Sequence, residues 1–252
     1  MKISFIKAHG CGNDFLLVDG NPADFGDPVA LARAICDRHR GVGADGLYFI
    51  HGHSVHLYNS DGSPASLSGN GTRCVAAKFA SDGEGPVIRV STGAGPRELR
   101  LTARRGNLYY FAMNLGYVGV SAGPEGSFDV AIGNPQCISL VESFDFDWKR
   151  RGAELEYHPH YPDRTNVEFV KAVDRHKIEI RIWERGAGWT LSSGTGATAS
   201  AVATVHAGQA EYPVTVVTEG GELLVEDSGG EIVLTGPAEI VSTGIYFTPE
   251  PL

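Results

Sequence analysis

The feature that most constrains this chain is a repeat inside it. Leu67-Ser68-Gly69-Asn70-Gly71-Thr72-Arg73-Cys74-Val75-Ala76-Ala77 is echoed by Ser192-Ser193-Gly194-Thr195-Gly196-Ala197-Thr198-Ala199-Ser200-Ala201-Val202. Both carry Ser-Gly-x-Gly before a run of small, helix-compatible residues. Gly12-Asn13-Asp14 is echoed in the same order and at nearly the same spacing by Gly133-Asn134-Pro135. Ordered echoes at one period point to a duplicated domain. A chain of 252 residues is long enough for two such halves, each with its own core.

The elements read in each half agree with that division. Apolar and small-residue periodicity predicts helices over about 28–39, 70–82 and 195–207. Alternation such as Ile178, Ile180 and Ile182 predicts strands. In the first half these are 3–7, 15–19, 46–50, 55–59, 87–91, 99–103 and 108–112. In the second they are 129–132, 138–142, 166–172, 177–184, 214–218, 222–226 and 231–235, with a last strand at 244–248. The expected fold is α+β. It has two pseudo-symmetric domains, each a mainly antiparallel sheet wrapped on a central helix, with the active site in the interdomain cleft. The first domain is expected to span 1–115 together with a C-terminal strand at 244–252, and the second 116–243.

Each Ser-Gly-x-Gly turn follows a strand region and opens a helix. A helix N-terminus offers unpaired N–H groups and partial positive charge, which suits a carboxylate. The glycines allow close approach to the backbone. The plainer reading is that Ser68 and Ser193 are simple N-caps. Gly41-Val42-Gly43-Ala44-Asp45-Gly46 matches a dinucleotide-binding pattern but follows a helix and precedes a strand. That order is reversed for such a site, so a nicotinamide or flavin is rejected.

Composition narrows the partners. The formal net charge of -9 disfavours nucleic acid, which needs a basic footprint. No apolar run approaches the roughly 20 residues of a membrane span. Cys11, Cys36, Cys74 and Cys137 form no Cys-x-x-Cys pair, and scattered cysteines fit a reducing, cytoplasmic compartment. His51-Gly52-His53 and His158-Pro159-His160 read as exposed loops without the acidic companions of a metal site.

Taken together, several ordered motifs resemble diaminopimelate epimerases. They are His9-Gly10-Cys11-Gly12-Asn13-Asp14-Phe15, Cys36-Asp37-Arg38 with the Gly41–Gly46 segment, Tyr58-Asn59-Ser60-Asp61-Gly62-Ser63, and Ser68-Gly69-Asn70-Gly71-Thr72-Arg73-Cys74. Gly133-Asn134-Pro135, Thr165-Asn166-Val167-Glu168-Phe169-Val170, Trp183-Glu184-Arg185-Gly186-Ala187-Gly188 and Ser193-Gly194-Thr195-Gly196-Ala197 follow. The resemblance implies an isomerase of lysine biosynthesis that needs no cofactor, acts on a small amino acid and forms a homodimer. It implies two cysteines, one per half, working as base and acid on opposite faces of the α-carbon. Their places are Ser68 and Ser193 here, and these are the candidate catalytic residues. It further implies that backbone N–H groups of Gly69, Asn70, Gly194 and Thr195 hold the α-carboxylate. Asn13, Asn59, Asn134, Asn166 and Arg185 would hold the rest of the substrate, and Glu184 its amino group. As isolated residues, Asn13, Asn59 and Asn134 also read as turn formers, and Arg185 as a surface ion pair.

The departures from the family are specific. Beside the two serines, the family's histidine after Gly-Asn-Pro is Gln136, and its glutamate in Gly-Ala-Gly-Glu-Thr is Trp189. A thiol titrates near 8.5 and is readily lowered at a helix N-terminus. A serine hydroxyl is a far weaker acid and needs a neighbouring base to be activated. Three readings stand: a diaminopimelate epimerase whose cysteines have been exchanged for serine, a racemase, epimerase or dehydratase for another amino acid, and a non-catalytic amino-acid-binding homologue.

Overall fold

The computed structural model describes residues 1–248. The chain divides into two compact units. One is Met1–Ala112 together with the chain from Pro237 onward, and the other is Met113–Gly236.

The first unit opens with β1 (Lys2–Gly10), β2 (Asn13–Asp19), α1 (Pro28–Cys36), β3 (Gly46–His51), β4 (Ser54–Asn59) and β5 (Pro64–Ala65). It continues with α2 (Gly69–Ser81), β6 (Val87–Thr92), β7 (Gly95–Arg105) and β8 (Leu108–Gly116), the last of which runs on into the second unit. The pairs β1–β2, β3–β4, β6–β7 and β7–β8 are antiparallel, while β2–β3 is parallel.

The second unit holds β9 (Gly119–Ala122), β10 (Phe128–Ala131), β11 (Pro135–Leu140), α3 (Trp148–Glu156), β12 (Asn166–Asp174) and β13 (Lys177–Glu184). After these come β14 (Gly188–Thr190), α4 (Gly194–His206), β15 (Val214–Thr218), β16 (Gly221–Ser228) and the start of β17 (Glu231–Phe247). Here β9–β10, β10–β11, β12–β13 and β15–β16 are antiparallel, and β11–β12 is parallel. Each unit is thus a mainly antiparallel sheet around one central helix.

Small and apolar residues dominate α4, and α2 buries its polar Asn70, Thr72, Arg73 and Lys78 together with its apolar ones. In α2 every residue from Asn70 to Ala80 is buried, and in α4 every residue from Gly196 to Thr204. A helix apolar or small all round has nowhere to go but inside. Around α2 the first core gathers Phe15, Leu17, Tyr48, Val90, Leu99 and Phe111. A second cluster, with Leu31, Ile35, Leu47 and Phe49, packs under α1. In the other unit α4 packs on β11, β12, β15 and β16.

One expectation about the strands is corrected. The strands expected at 231–235 and 244–248 are one 17-residue strand, β17. Its first part pairs with β16 through Thr235, and its later part pairs with β1 from Glu239. Pro237, which has no N–H to donate, lies where the partner changes, so it does not break the strand. By its contacts the first unit takes up the chain again at Pro237. Of the C-terminal strand expected at 244–252, residues 249–252 lie outside the described residues. The helix α3 and the short strands β5, β9 and β14 were not expected. The Gly41–Gly46 segment leads from α1 into β3, the reverse of a dinucleotide site.

Candidate active site

In the first unit Ser68 is the N-cap of α2, with φ -132° and ψ 124°. Its Oγ accepts the Gly71 N–H at 3.1 Å, and its carbonyl accepts from Thr72 N and Oγ1. In the second unit Ser193 caps α4 with φ -132° and ψ 126°, and its Oγ accepts the Gly196 N–H at 3.2 Å. The two turns agree within a few degrees, so the repeat extends to backbone geometry. Both serines are partly exposed. With the third N–H of each helix turned onto the serine, the preceding N–H groups, at Gly69–Asn70 and Gly194–Thr195, head the positive end of a buried helix.

Around Ser68 the structure gathers Asn13 and Asn70. Asn70 Nδ2 donates to Asn13 Oδ1 at 3.3 Å, and Asn13 Nδ2 donates to Asp45 at 2.8 Å. Arg73, one turn into α2, is 1% exposed. It donates to Asn70 Oδ1 at 2.5 Å and to the Pro237 carbonyl at 3.1 Å, while its Nη1 has no hydrogen-bond partner. Burial lowers its pKa. A cation held in place by neutral oxygens adds to the positive field at the head of α2. Asn59 ends β4, where it donates to Ser63 Oγ at 2.9 Å.

Around Ser193 the structure gathers Thr195, Asn134 and Gln136. Thr195 Oγ1 lies 3.4 Å from Ser193 Oγ and 3.2 Å from the Gln136 side-chain nitrogen, which also lies 2.8 Å from Asn134 Oδ1. Asn166 braces the backbone instead: its Nδ2 donates to the Pro135 carbonyl at 2.9 Å, and its Oδ1 accepts the Arg185 N–H at 3.0 Å. Glu184 accepts from Thr190 Oγ1 at 3.0 Å. Arg185 is exposed, and its guanidinium donates to the Asp163 carbonyl at 3.2 Å. Of the two departures beside the serines, Gln136 is buried among these groups. Trp189 lies at the surface, bonded to Glu219 and under Lys149. A concavity of about 730 Å³ in this unit is lined by Asn134, Gln136, Asp129, His160 and Tyr161, with His160 paired to Asp129 at 2.7 Å.

Two buried charged side chains near the caps escaped the sequence reading as individual residues, Arg73 and Glu168. Glu168 on β12 is fully buried against Gly196 of α4. Burial and then the Glu184 charge push its pKa well above the ordinary carboxylate range. The signal was present: a carboxylate between Val167 and Phe169-Val170, in the buried stretch of β12.

That raised pKa gives a pH signature. Folded, Glu168 holds its proton more tightly than unfolded. Its contribution is fully present below the unfolded carboxylate value near 4.3 and declines as pH rises towards the folded value, by up to about 1.4 kcal/mol per pH unit. Glu168→Gln removes this decline. In urea unfolding at acid and at mildly alkaline pH, the variant gains stability relative to the parent as pH rises. A parent-to-variant difference that stays constant with pH contradicts a buried neutral carboxyl.

Comparison with known proteins agrees with the repeat. The family model described as diaminopimelate epimerase matches residues 5–118 and 128–241, the first stretch lying mostly in the first unit and the second mostly in the second. A diaminopimelate epimerase of Rippkaea orientalis is 38% identical over 98% of this chain and 99% of its own length. That of Pelotomaculum thermopropionicum is 38% identical over 96% and 98%. Among solved structures, a phenazine biosynthesis protein of the PhzF family from Bacillus anthracis superposes with a TM-score of 0.78 at 12% identity, covering 98% of this chain and all of the other. A hydroxyproline epimerase from Agrobacterium vitis superposes at 0.63 with 16% identity, over 97% and 92%. At such identities these two share the fold.

Proposed function

The chain belongs to the diaminopimelate epimerase family, and on that premise we propose that it is a cofactor-independent amino-acid epimerase interconverting LL- and meso-diaminopimelate. The observation that carries the reading is the pair of matching serine-capped helix N-termini, one in each unit, in a chain whose two halves both match the family. Each cap offers backbone N–H groups to an anion, and one oxygen acid beside them. Fixed donors aimed at a carboxylate stabilise the charge that develops when an α-proton leaves.

The residues divide the work accordingly. Ser68 and Ser193 are the proton-handling groups. The N–H groups at Gly69, Asn70, Gly194 and Thr195 hold the α-carboxylate. Asn13, Asn59 and Asn134, together with Arg185, hold the remainder, with Arg185 suited to a distal carboxylate. Asn166 acts through the backbone it braces, and Glu184 receives the amino group. The protein is assigned to the cytoplasm, and a homodimer is the assembly the family reading favours. A second reading, an amino-acid-binding homologue, is favoured by the two serines, because each Oγ already accepts a helix N–H and is thereby a weaker base.

The two readings part on one measurement. The protein is incubated with LL-diaminopimelate in deuterated water, and the α-proton signal is followed by NMR beside a calorimetric titration. Slow loss of the signal, catalysed by the protein, is the expected result. Tight binding with no loss leaves the binding homologue. Neither binding nor loss removes diaminopimelate as the ligand.

A further inference from the structure

Beneath Ser193 lies a continuous line of polar side chains, Glu168–Gln136–Thr195–Ser193. One end of the Gln136 amide faces the Glu168 carboxyl oxygens at 3.0 and 3.1 Å, and the other faces Thr195 Oγ1 at 3.2 Å. Thr195 Oγ1 in turn faces Ser193 Oγ at 3.4 Å. Amide oxygen and nitrogen can exchange places, and the occupant of the Glu168 end depends on where a proton is. With Gln136 Oε1 against the carboxyl, a proton must lie on Glu168. An ionised Glu168 has only acceptors, so it requires the Nε2 end of the amide there.

Each arrangement favours one direction of hydrogen bonding along the rest of the line. With Glu168 neutral, it donates to Gln136 Oε1, Gln136 Nε2 donates to Thr195 Oγ1, and the Thr195 hydroxyl donates to Ser193 Oγ. Ser193 Oγ then accepts from Thr195 and from the Gly196 N–H, which occupies both its lone pairs. Its own proton can only point outward, as a donor. With Glu168 ionised every bond reverses. Gln136 Oε1 accepts from Thr195 and, with the Asn134 amide turned so that its nitrogen replaces the oxygen 2.8 Å away, from Asn134 Nδ2, and Thr195 Oγ1 accepts the Ser193 proton. Ser193 then turns a lone pair outward, as an acceptor.

We propose that Glu168 is a positioning residue whose protonation state, relayed by Gln136 and Thr195, sets whether Ser193 presents a proton or a lone pair to the substrate. The relay rests on the epimerase reading for its use, though its existence does not. The titratable groups facing Glu168 are Glu184 at the end of β13 and Cys137 on β11, and on the α4 side it lies against the uncharged Gly196. Buried among them, its carboxyl is held neutral more firmly than an exposed one.

The other unit has no counterpart. By the register of its parallel strands, Phe15 and Tyr48 occupy the places of Gln136 and Glu168: Phe15 lies opposite Gly46, as Gln136 lies opposite Asn166. There the two rings pack edge to face at 5.5 Å, with Tyr48 under Gly71 as Glu168 is under Gly196. Two rings cannot pass a hydrogen-bond direction along as an amide and a carboxyl can. Only Ser193 is therefore switched, and Ser68 keeps one role at every pH.

The test is an NMR titration of the whole protein without substrate, following the Glu168 side-chain carboxyl carbon and the Gln136 side-chain amide between about pH 4 and 10. The expected result is one shared midpoint for the two signals, and a Gln136 amide that no longer moves with pH in Glu168→Gln. A Glu168 carbon that titrates while the Gln136 amide stays still overturns the proposal, and so does a carbon that never titrates. With diaminopimelate in deuterated water, Thr195→Val is expected to remove the ionisation of Glu168 from the pH profile of α-proton exchange while leaving the shared midpoint in place. A profile that keeps that ionisation also overturns the relay to Ser193. If the midpoint is shared but no α-proton exchanges at any pH, the relay stands and the epimerase reading falls.

Discussion

Replacing Ser68 and Ser193 together by cysteine is expected to raise the rate of α-proton exchange from LL-diaminopimelate by about a thousandfold. The figure lies within the range that one well-matched acid or base contributes. The reason is the acidity of the group at each cap. A helix N-terminus contributes up to about 2 kcal/mol, or roughly 1.5 pKa units. That brings a thiol from about 8.5 close to neutrality and leaves a serine hydroxyl far from it. The backbone needs no change, because both caps already hold matching geometry over a helix N-terminus. Each single variant is expected to gain much less, since removal and return of the proton need competent groups on both faces. Loss of the α-proton signal in deuterated water measures all of these. A double variant that binds diaminopimelate and still exchanges no faster than the parent would mean that the serines are not what limits the chain. Gln136, in place of the family's histidine, then becomes the residue to restore.

Adding one methyl group under either turn is expected to cost about 2–3 kcal/mol, the upper part of the range for overpacking a filled core. A Cβ on Gly71 would come within 2.5 Å of Tyr48 Cε2 and 2.6 Å of its hydroxyl, on a ring that is 1% exposed. A Cβ on Gly196 would strike the Glu168 carboxyl, which is itself fully buried. Neither neighbour has solvent to retreat into, so the helix start must lift from the sheet. For units of this size the melting temperature is expected to fall by about 5–10 °C in each variant. Because the lifted segment carries the N–H groups assigned to the α-carboxylate, ligand affinity falls with it. A Gly71→Ala variant that melts with the parent would show that the ring moves aside.

The sequence made the repeat visible because a duplicated turn keeps its glycines for steric reasons. Gly71 and Gly196 lie directly over buried side chains, so no other residue fits. The same rigidity made α2 and α4 legible, since runs of alanine and other small residues between capping serines have few alternatives. The central strands were legible through apolar alternation. The misses share a cause. In α3, Trp148–Glu156, charged residues outnumber apolar ones, and only a few side chains such as Leu155 are buried, so its periodicity is faint. The strands β5, β9 and β14 have two to four residues, too few to show a period. The strand expected at 231–235 runs on through Pro237, whose missing N–H is harmless because the partner changes there from β16 to β1.

The site divides in the same way. By themselves the residues determined where the caps are, that the groups on them are hydroxyls rather than thiols, and which neighbouring positions depart from the family, because each of these is fixed by residue type and local spacing. Only the tertiary structure decided what stands behind the caps. Arg73 reaching the Pro237 carbonyl of β17, Asn166 tied to backbone on both sides, and Glu168 reaching Ser193 through Gln136 and Thr195 all join residues from separate elements. Their chemistry depends on distance and burial, and those are set by how strands and helices pack rather than by their order along the chain.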